Sequence, residues 1–411
     1  MSPSETPGRP SGLAAVPWLG PLVVAVLMQV ALSFLTRVIP VIGPVVTEDA
    51  GVPPEWIGHL AALNTLGMMI FLMVGAPVLH RFGPVRAMQI GGVFGAAGLL
   101  LTLTGNWPLL MLSSVLMGLG YGVTAPAGSD ILARTAPARH RAVIFSVKQA
   151  GMPLGGVIAG LMVPWLFVLV GWKLALLIGA VPVVLAALAV QPLRRGIDGP
   201  RDAVARLTLS AFLSVANTLR PFLVLKTTPA LVRLSLVGIA LAIAQGCLFS
   251  FQATFLNVEL GMSLAAAGTL FALTQGIGVF GRVFAGFAAD RLGSGARALV
   301  LLCIGSGAMM FVTATIGPAW SWTALLVWSV VAGVAIGTWN GVFLSEIAAL
   351  SPPDQVAEAT MGSTFLCFIG YVIGPFAFSV IVAWTGTYWY AYAAAGIPAL
   401  LAAVMLLRTN R

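Results

Sequence analysis

What most constrains this chain is the recurrence of unbroken apolar runs, each about the 20 residues that a helix needs to cross a bilayer. Twelve such runs are read, at 17–46, 55–79, 84–104, 107–133, 142–169, 172–192, 230–257, 263–288, 296–316, 320–349, 356–383 and 386–407. A soluble fold could not keep this sequence in water, because only 8% of its 411 residues are charged and 59% are hydrophobic. A spanning β-barrel is excluded as well, since barrel strands alternate apolar and polar residues and these runs do not. The expected fold is an all-α polytopic membrane protein. Gly105-Asn106, Gly317-Pro318 and Thr385-Gly386 fall between runs and predict short loops there.

The net charge of +9 is explained by where the basic residues fall. With the N-terminus placed in the cytoplasm, the inner segments collect seventeen basic residues, including Arg81, Arg86, Arg134, Arg291, Arg297 and Arg408, and the outer loops collect only Lys173. That asymmetry is the positive-inside bias. It predicts a multi-pass protein of the cell (inner) membrane with both termini cytoplasmic, and a lipid bilayer rather than a nucleic acid as its large partner. Residues 1–16 are rich in Pro and Gly and predict a disordered cytoplasmic tail. Cys247, Cys303 and Cys367 lie inside apolar runs without a CxxC partner, so neither a disulfide frame nor a metal site is expected. The sequence carries no P-loop, and His59, His80 and His140 are scattered, so neither an enzyme nor a bound cofactor is expected.

The chain repeats itself. His80-Arg81-Phe82-Gly83 recurs as Asp290-Arg291-Leu292-Gly293, after the second span of each half. Ser129-Asp130-Ile131 recurs as Ser345-Glu346-Ile347, near the end of the fourth span of each half. Two six-helix bundles are therefore expected, at 17–192 and 230–411, joined by a cytoplasmic linker at 193–229.

On these residues the sequence resembles the major facilitator superfamily. Gly286-Phe-Ala-Ala-Asp290-Arg291-Leu-Gly293 is similar to that superfamily's loop signature, and its first-half counterpart carries His80 where the signature has an acid. Gly151-Met-Pro153-Leu-Gly155-Gly156 on span 5 and Gly370-Tyr-Val-Ile-Gly374-Pro375 on span 11 resemble its Gly/Pro-rich fifth-helix motif. The resemblance implies a secondary transporter working by alternating access. It also implies gating roles for His80, Arg81, Gly83, Asp130, Asp290, Arg291, Gly293 and Glu346.

Three cations stand inside apolar spans: Arg37 in span 1, Lys148 in span 5 and Arg282 in span 8. A charge at a helix centre costs on the order of 2.5–3.5 kcal/mol even on insertion scales, so such residues face a cavity or a partner. No Asp or Glu falls near a span midpoint. An anionic substrate would supply the missing counter-charge. Each cation also has a structural alternative: Lys148 and Arg37 can snorkel, and Arg282, two turns before Asp290, can form an ion pair between helices. Gln149, Gln275 and Asn340 join the candidate substrate ligands as neutral hydrogen-bonding groups, with Gln29, Asn64, Gln245, Gln252 and Trp339 as further cavity candidates.

The pattern Arg282-x-x-x-Gly286-x-x-x-Asp290 resembles span 8 of oxalate and monocarboxylate carriers, and Arg37 sits about where monocarboxylate carriers place a basic residue on span 1. Span 11 lacks the lysine of oxalate carriers, and Gly278 stands where monocarboxylate carriers often have an acid. The expected function is transport of a small organic anion, a carboxylate, by a functional monomer. Protons and an exchanged anion are the open alternatives for coupling. A proton-coupled drug or metabolite exporter is the rival reading. Against it, Ser114 stands where exporters carry an arginine four residues before Gly118-x-Gly120, and no interior carboxylate is evident.

Overall fold

The computed structural model describes residues 17–137, 141–198, 222–226, 228–292, 294–352 and 355–409. Twelve helices among them are long and apolar enough to span a bilayer: Leu19–Val41, Pro54–Val74, Pro84–Thr102, Trp107–Thr135, Val147–Val170, Trp172–Ala189, Pro229–Val258, Leu264–Arg282, Gly295–Ala314, Trp322–Leu350, Glu358–Thr385 and Tyr388–Arg408. They are spans 1 to 12 below. No strand occurs among the described residues. Helices solve the one problem that lipid poses for a backbone, because each closes its own hydrogen bonds. An even number of alternating spans returns both chain ends to the same side, called here the termini end; the opposite side is the far end.

Spans 1 and 7 are buried along most of their length, whereas span 6 turns Val181, Val184, Leu185 and Leu188 outwards. Large apolar side chains such as Phe280, Val168 and Trp384 are also exposed. In water they would form an aggregation surface; in a bilayer they face their proper solvent. Span 1 packs chiefly on span 5, and span 7 on span 11.

Two spans are interrupted. Span 4 consists of helices Trp107–Gly122 and Thr124–Thr135, and span 10 of helices Trp322–Gly337 and Trp339–Leu350. A threonine stands at each junction, with Thr124 Oγ1 bonding to Tyr121 O at 2.8 Å and Thr338 Oγ1 to Val334 O at 2.7 Å. Sequence reading took both spans as continuous. The breaks matter because each lies at the height of the interior cations.

The first six spans meet the last six along two seams. On span 5, Gly160 admits the backbone of Gly268, and Gly156 admits the side chain of Gln275. At Gly160 a Cβ would overlap the backbone of the other span, so the close approach there requires glycine, whereas at Gly156 it would meet the Gln275 side chain. On span 2, Gly58 lies against Pro375 and Phe251. At the far end Ser379 Oγ donates to Glu55 O at 2.7 Å and lies 3.3 Å from His59 Nδ1. Because the single hydroxyl proton of Ser379 goes to Glu55 O, His59 Nδ1 is the donor in the second bond.

The expected linker begins inside structure. Gln191–Asp198 is a helix docked on span 3, where Gln89 Nε2 reaches Gln191 Oε1 at 2.9 Å. Asp198 is buried; its carboxylate accepts from Val85 N at 2.8 Å and from Arg194 Nε at 3.1 Å. A carboxylate on the first turn of a helix satisfies an orphan N–H and complements the helix dipole. Residues 199–221 and 227 of the linker, the tail 1–16, Gly293 and His140 lie outside the described residues.

Candidate functional site

Span 1 presents Gln29, Ser33 and Arg37 at intervals of four, which stacks them on one face of the helix. Gln29 and Arg37 from that face line a central cavity of about 210 Å³ at the junction of the two groups of six spans. Lys148, Gln149 and Met152 line it from span 5, and Gln245 and Phe249 from span 7. Arg282 comes from span 8, Trp339 and Asn340 from span 10 just past its break, Tyr121 from span 4 and Tyr371 from span 11. All three interior cations therefore reach one cavity, and among the described residues no Asp or Glu lines it.

Each cation is held by neutral groups. Arg282 Nη1 donates to Gln149 O at 3.1 Å across the seam, and its Nε lies 3.4 Å from Gly337 O, the carbonyl left over where span 10 breaks. Arg37 lies 5.4 Å from the centre of the Phe249 ring, and its buried Nε has no hydrogen-bond partner. Lys148 Nζ donates to Gln149 Oε1 at 3.3 Å, an oxygen that Gln29 Nε2 also approaches at 3.5 Å. Gly128 makes room for the lysine, because a Cβ there would stand 2.7 Å from Lys148 Cε. Burying a cation without a counter-charge is costly, and only part of that cost is offset by dipoles and a ring face.

The lining also holds a network around Gln245. Its Oε1 accepts from Trp339 Nε1 at 3.1 Å, from Asn340 Nδ2 at 3.5 Å and from Tyr371 Oη, while its Nε2 is buried without a partner. An amide oxygen saturated by three donors orients the whole group. The unpaired N–H of Gln245 and the unpaired Nε of Arg37 are donors that an anion's oxygens would satisfy.

Gln275 falls outside the cavity lining. It lies two helical turns before Arg282, on nearly the same face, and was expected among the substrate ligands. Instead it is buried against Gly156, where span 8 packs tightly on span 5, and it does not line the cavity. Gln252 bonds to Thr274 Oγ1 at 2.8 Å and is likewise outside the lining. Gln245 stood among the cavity candidates as one neutral amide of several, with nothing in its neighbours to mark it as the centre of a network.

The expected gating residues that are described fall at the termini end. His80, Gly83 and Asp130 share a separate pocket with Asp198. Gly83 has φ +81° and carries the turn into span 3; Arg81 is in the last turn of the short helix Ala76–Phe82 before it. Asp130 pairs with Arg134 of its own helix at 2.8 Å, and both are exposed. In the second half, Glu346 lies against Gly295 at the first turn of span 9. Arg291 covers the Phe287 ring at 4.7 Å, and Asp290 is in the last turn of the helix Leu264–Arg291. The buried acid of the first half is thus Asp198, which the repeat did not point to because it comes from the docked linker helix.

Residues 22–368 match the family model of the Major Facilitator Superfamily. A stretch of 151 residues, 36% of the chain, is 30% identical to the 4-hydroxybenzoate transporter PcaK of Acinetobacter baylyi and spans 33% of that protein. A stretch of 246 residues, 57% of the chain, is 24% identical to the cis,cis-muconate transport protein of the same organism and spans 57% of it. Both alignments cover less than two thirds of those relatives. Among solved structures, a POT family transporter in complex with 5-aminolevulinic acid superposes with a TM-score of 0.77 at 12% identity, over 97% of either chain.

Proposed function

Since the chain belongs to the Major Facilitator Superfamily, we propose that it is a secondary transporter moving a small organic anion through the central cavity by alternating access. The observation that carries this reading is the convergence of Arg37, Lys148 and Arg282 on a cavity lined by no acid. At 4 Å, a carboxylate attracts a guanidinium by about 4 kcal/mol at an effective dielectric constant of 20, against about 1 kcal/mol in water. Arg282 adds a planar fork able to hold both oxygens of a carboxylate. The cargo is a small carboxylate, because the cavity volume lies below the roughly 300–1,000 Å³ of drug-sized sites. An aromatic or unsaturated frame suits the Phe249, Tyr121, Tyr371 and Trp339 rings of the lining. The named cargoes of the two relatives, 4-hydroxybenzoate and cis,cis-muconate, belong to that class.

In this reading the seams at Gly160–Gly268 and Gly58–Pro375 are the surfaces on which two six-span bundles rock, with Ser379 and Glu55 closing the far end. That end faces outwards, and both termini face the cytoplasm. A cationic drug would enter three positive charges without a carboxylate to meet it, which disfavours the exporter reading.

The test is uptake of labelled 4-hydroxybenzoate and cis,cis-muconate into proteoliposomes. Arg282→Gln is expected to lower uptake at least tenfold. Arg282→Lys, which keeps the charge without the fork, is expected to retain only part of it. Folding is checked first by monodispersity in detergent. Undiminished uptake in both Arg282→Gln and Arg37→Gln, or a wild type that carries only cations, would end the anion reading.

A further inference from the structure

Of the three cavity cations, only one can change its charge. A guanidinium keeps its proton throughout the accessible pH range, whereas a lysine ammonium can give its proton up. Lys148 is 3% exposed, and its Nζ donates to a neutral amide oxygen, Gln149 Oε1, at 3.3 Å. Among the described side chains, the charged groups on the helices packed around it offer no counter-ion. Span 1 carries Arg37, and span 8 carries Arg282, with Asp290 and Arg291 in the last turn of its helix. On span 4, Asp130 and Arg134 pair with each other at 2.8 Å, and Lys173 of span 6 lies 3.8 Å from Asp49 at the far end. Tyr121 and Tyr371 are the titratable hydroxyls of the same cavity. Among the described residues, no carboxylate lies within ion-pair distance of Nζ.

We propose that Lys148 carries the coupled proton of the transport cycle. It is an ammonium while the anion is bound and a neutral amine while the empty cavity reorients. This rests on the anion reading above. When the anion leaves, one N–H bond of the ammonium breaks, the electron pair stays on Nζ, and the proton passes to water in the cavity. Loading reverses the step. The charge of the site then stays constant through the cycle. Loaded with a monoanion, three cations leave two net positive charges; empty, the two guanidiniums leave the same two. The return of the empty carrier thus meets no larger desolvation cost than the loaded leg. One anion and one proton cross together, and the cycle moves no net charge.

The site also has the geometry that such a switch needs. Gln149 Oε1 accepts from Nζ and is also approached by Gln29 Nε2 at 3.5 Å, so the lysine sits in a small network of neutral amides. Gly128 leaves the end of the lysine stem free of a Cβ contact.

The experiment measures protons taken up per anion bound, from 4-hydroxybenzoate binding enthalpies of the purified full chain in two buffers of different ionisation enthalpy. The wild type is expected to take up close to one proton per anion, and Lys148→Arg none. In proteoliposomes, Lys148→Arg is expected to lower 4-hydroxybenzoate counterflow, because the residue lines the cavity and the larger guanidinium must fit beside Gly128, and that counterflow is the reference for its transport. Relative to that reference, the variant is expected to lose accumulation driven by a pH gradient at least tenfold, because its empty form must return with one more positive charge. Binding to the wild type without proton uptake, or pH-driven accumulation by Lys148→Arg at the wild-type level, overturns the proposal alone. Absence of both 4-hydroxybenzoate and cis,cis-muconate binding overturns the anion reading and the proposal with it. Should Lys148→Arg not fold, the wild-type count and the count for His59→Asn decide. One proton in each supports Lys148, and loss of the proton in His59→Asn overturns it.

Discussion

Gly83 and Gly171 form a natural pair for measuring what the docked linker helix contributes. Both precede a span, and their backbones are nearly identical, with φ +81° and ψ 161° at Gly83 and φ +76° and ψ 162° at Gly171. That region is essentially closed to residues with a Cβ and costs on the order of 1–3 kcal/mol. Their surroundings differ. A Cβ at Gly171 would meet nothing within 4 Å, whereas one at Gly83 would stand 2.6 Å from Asp198 Cγ and 2.8 Å from Oδ1. Gly171→Ala should therefore show the backbone cost alone. Gly83→Ala should show it together with withdrawal of the Asp198 carboxylate from Val85 N, a charged hydrogen bond worth about 1.5–3 kcal/mol. The expected total for Gly83→Ala is roughly 2.5–6 kcal/mol, against roughly 1–3 for Gly171→Ala. The assay is equilibrium unfolding in mixed micelles of rising SDS fraction, repeated in an Asp198→Ala background. There the excess cost of Gly83→Ala should vanish, since the carboxylate it displaces is gone. Equal costs for the two glycine variants, or an excess that survives Asp198→Ala, would refute the assignment of Asp198 as the buried acid that holds the start of span 3.

Two further outcomes follow from contacts described above. On the proposed anion reading, Gly128→Ala should displace the Lys148 ammonium and weaken anion binding, probed with 4-hydroxybenzoate, several-fold while leaving unfolding nearly unchanged, because the group that must move is the end of a flexible stem; isothermal titration and micellar unfolding check the two halves of that statement. On the proposed alternating-access reading, Ser379→Ala, which removes the bond to Glu55 O, should shift the equilibrium between the two cavity orientations by about 0.5–1.5 kcal/mol towards opening at the far end. Labelling rates of a cysteine placed at Phe376 report it.

The twelve spans were legible in the sequence because the bilayer imposes a local requirement. Each helix must be apolar over its own length, whatever its neighbours are. The three interior cations were legible for the same reason, since their cost is set by depth in the span and needs no partner to be noticed. Convergence was not legible. That Arg37, Lys148 and Arg282 share one cavity depends on how spans 1, 5 and 8 rotate and pack, and helix periodicity leaves that rotation open. Gln275 shows the limit: it was a candidate as a neutral hydrogen-bonding group, yet it packs against Gly156 in the seam between spans 8 and 5. Gln245 became the centre of a network only because span 10 breaks at Thr338 and brings Trp339 and Asn340 to it. Asp198 could not be assigned from the repeat, because a carboxylate capping span 3 from more than a hundred residues away is a contact in space, which the order of residues does not encode by itself.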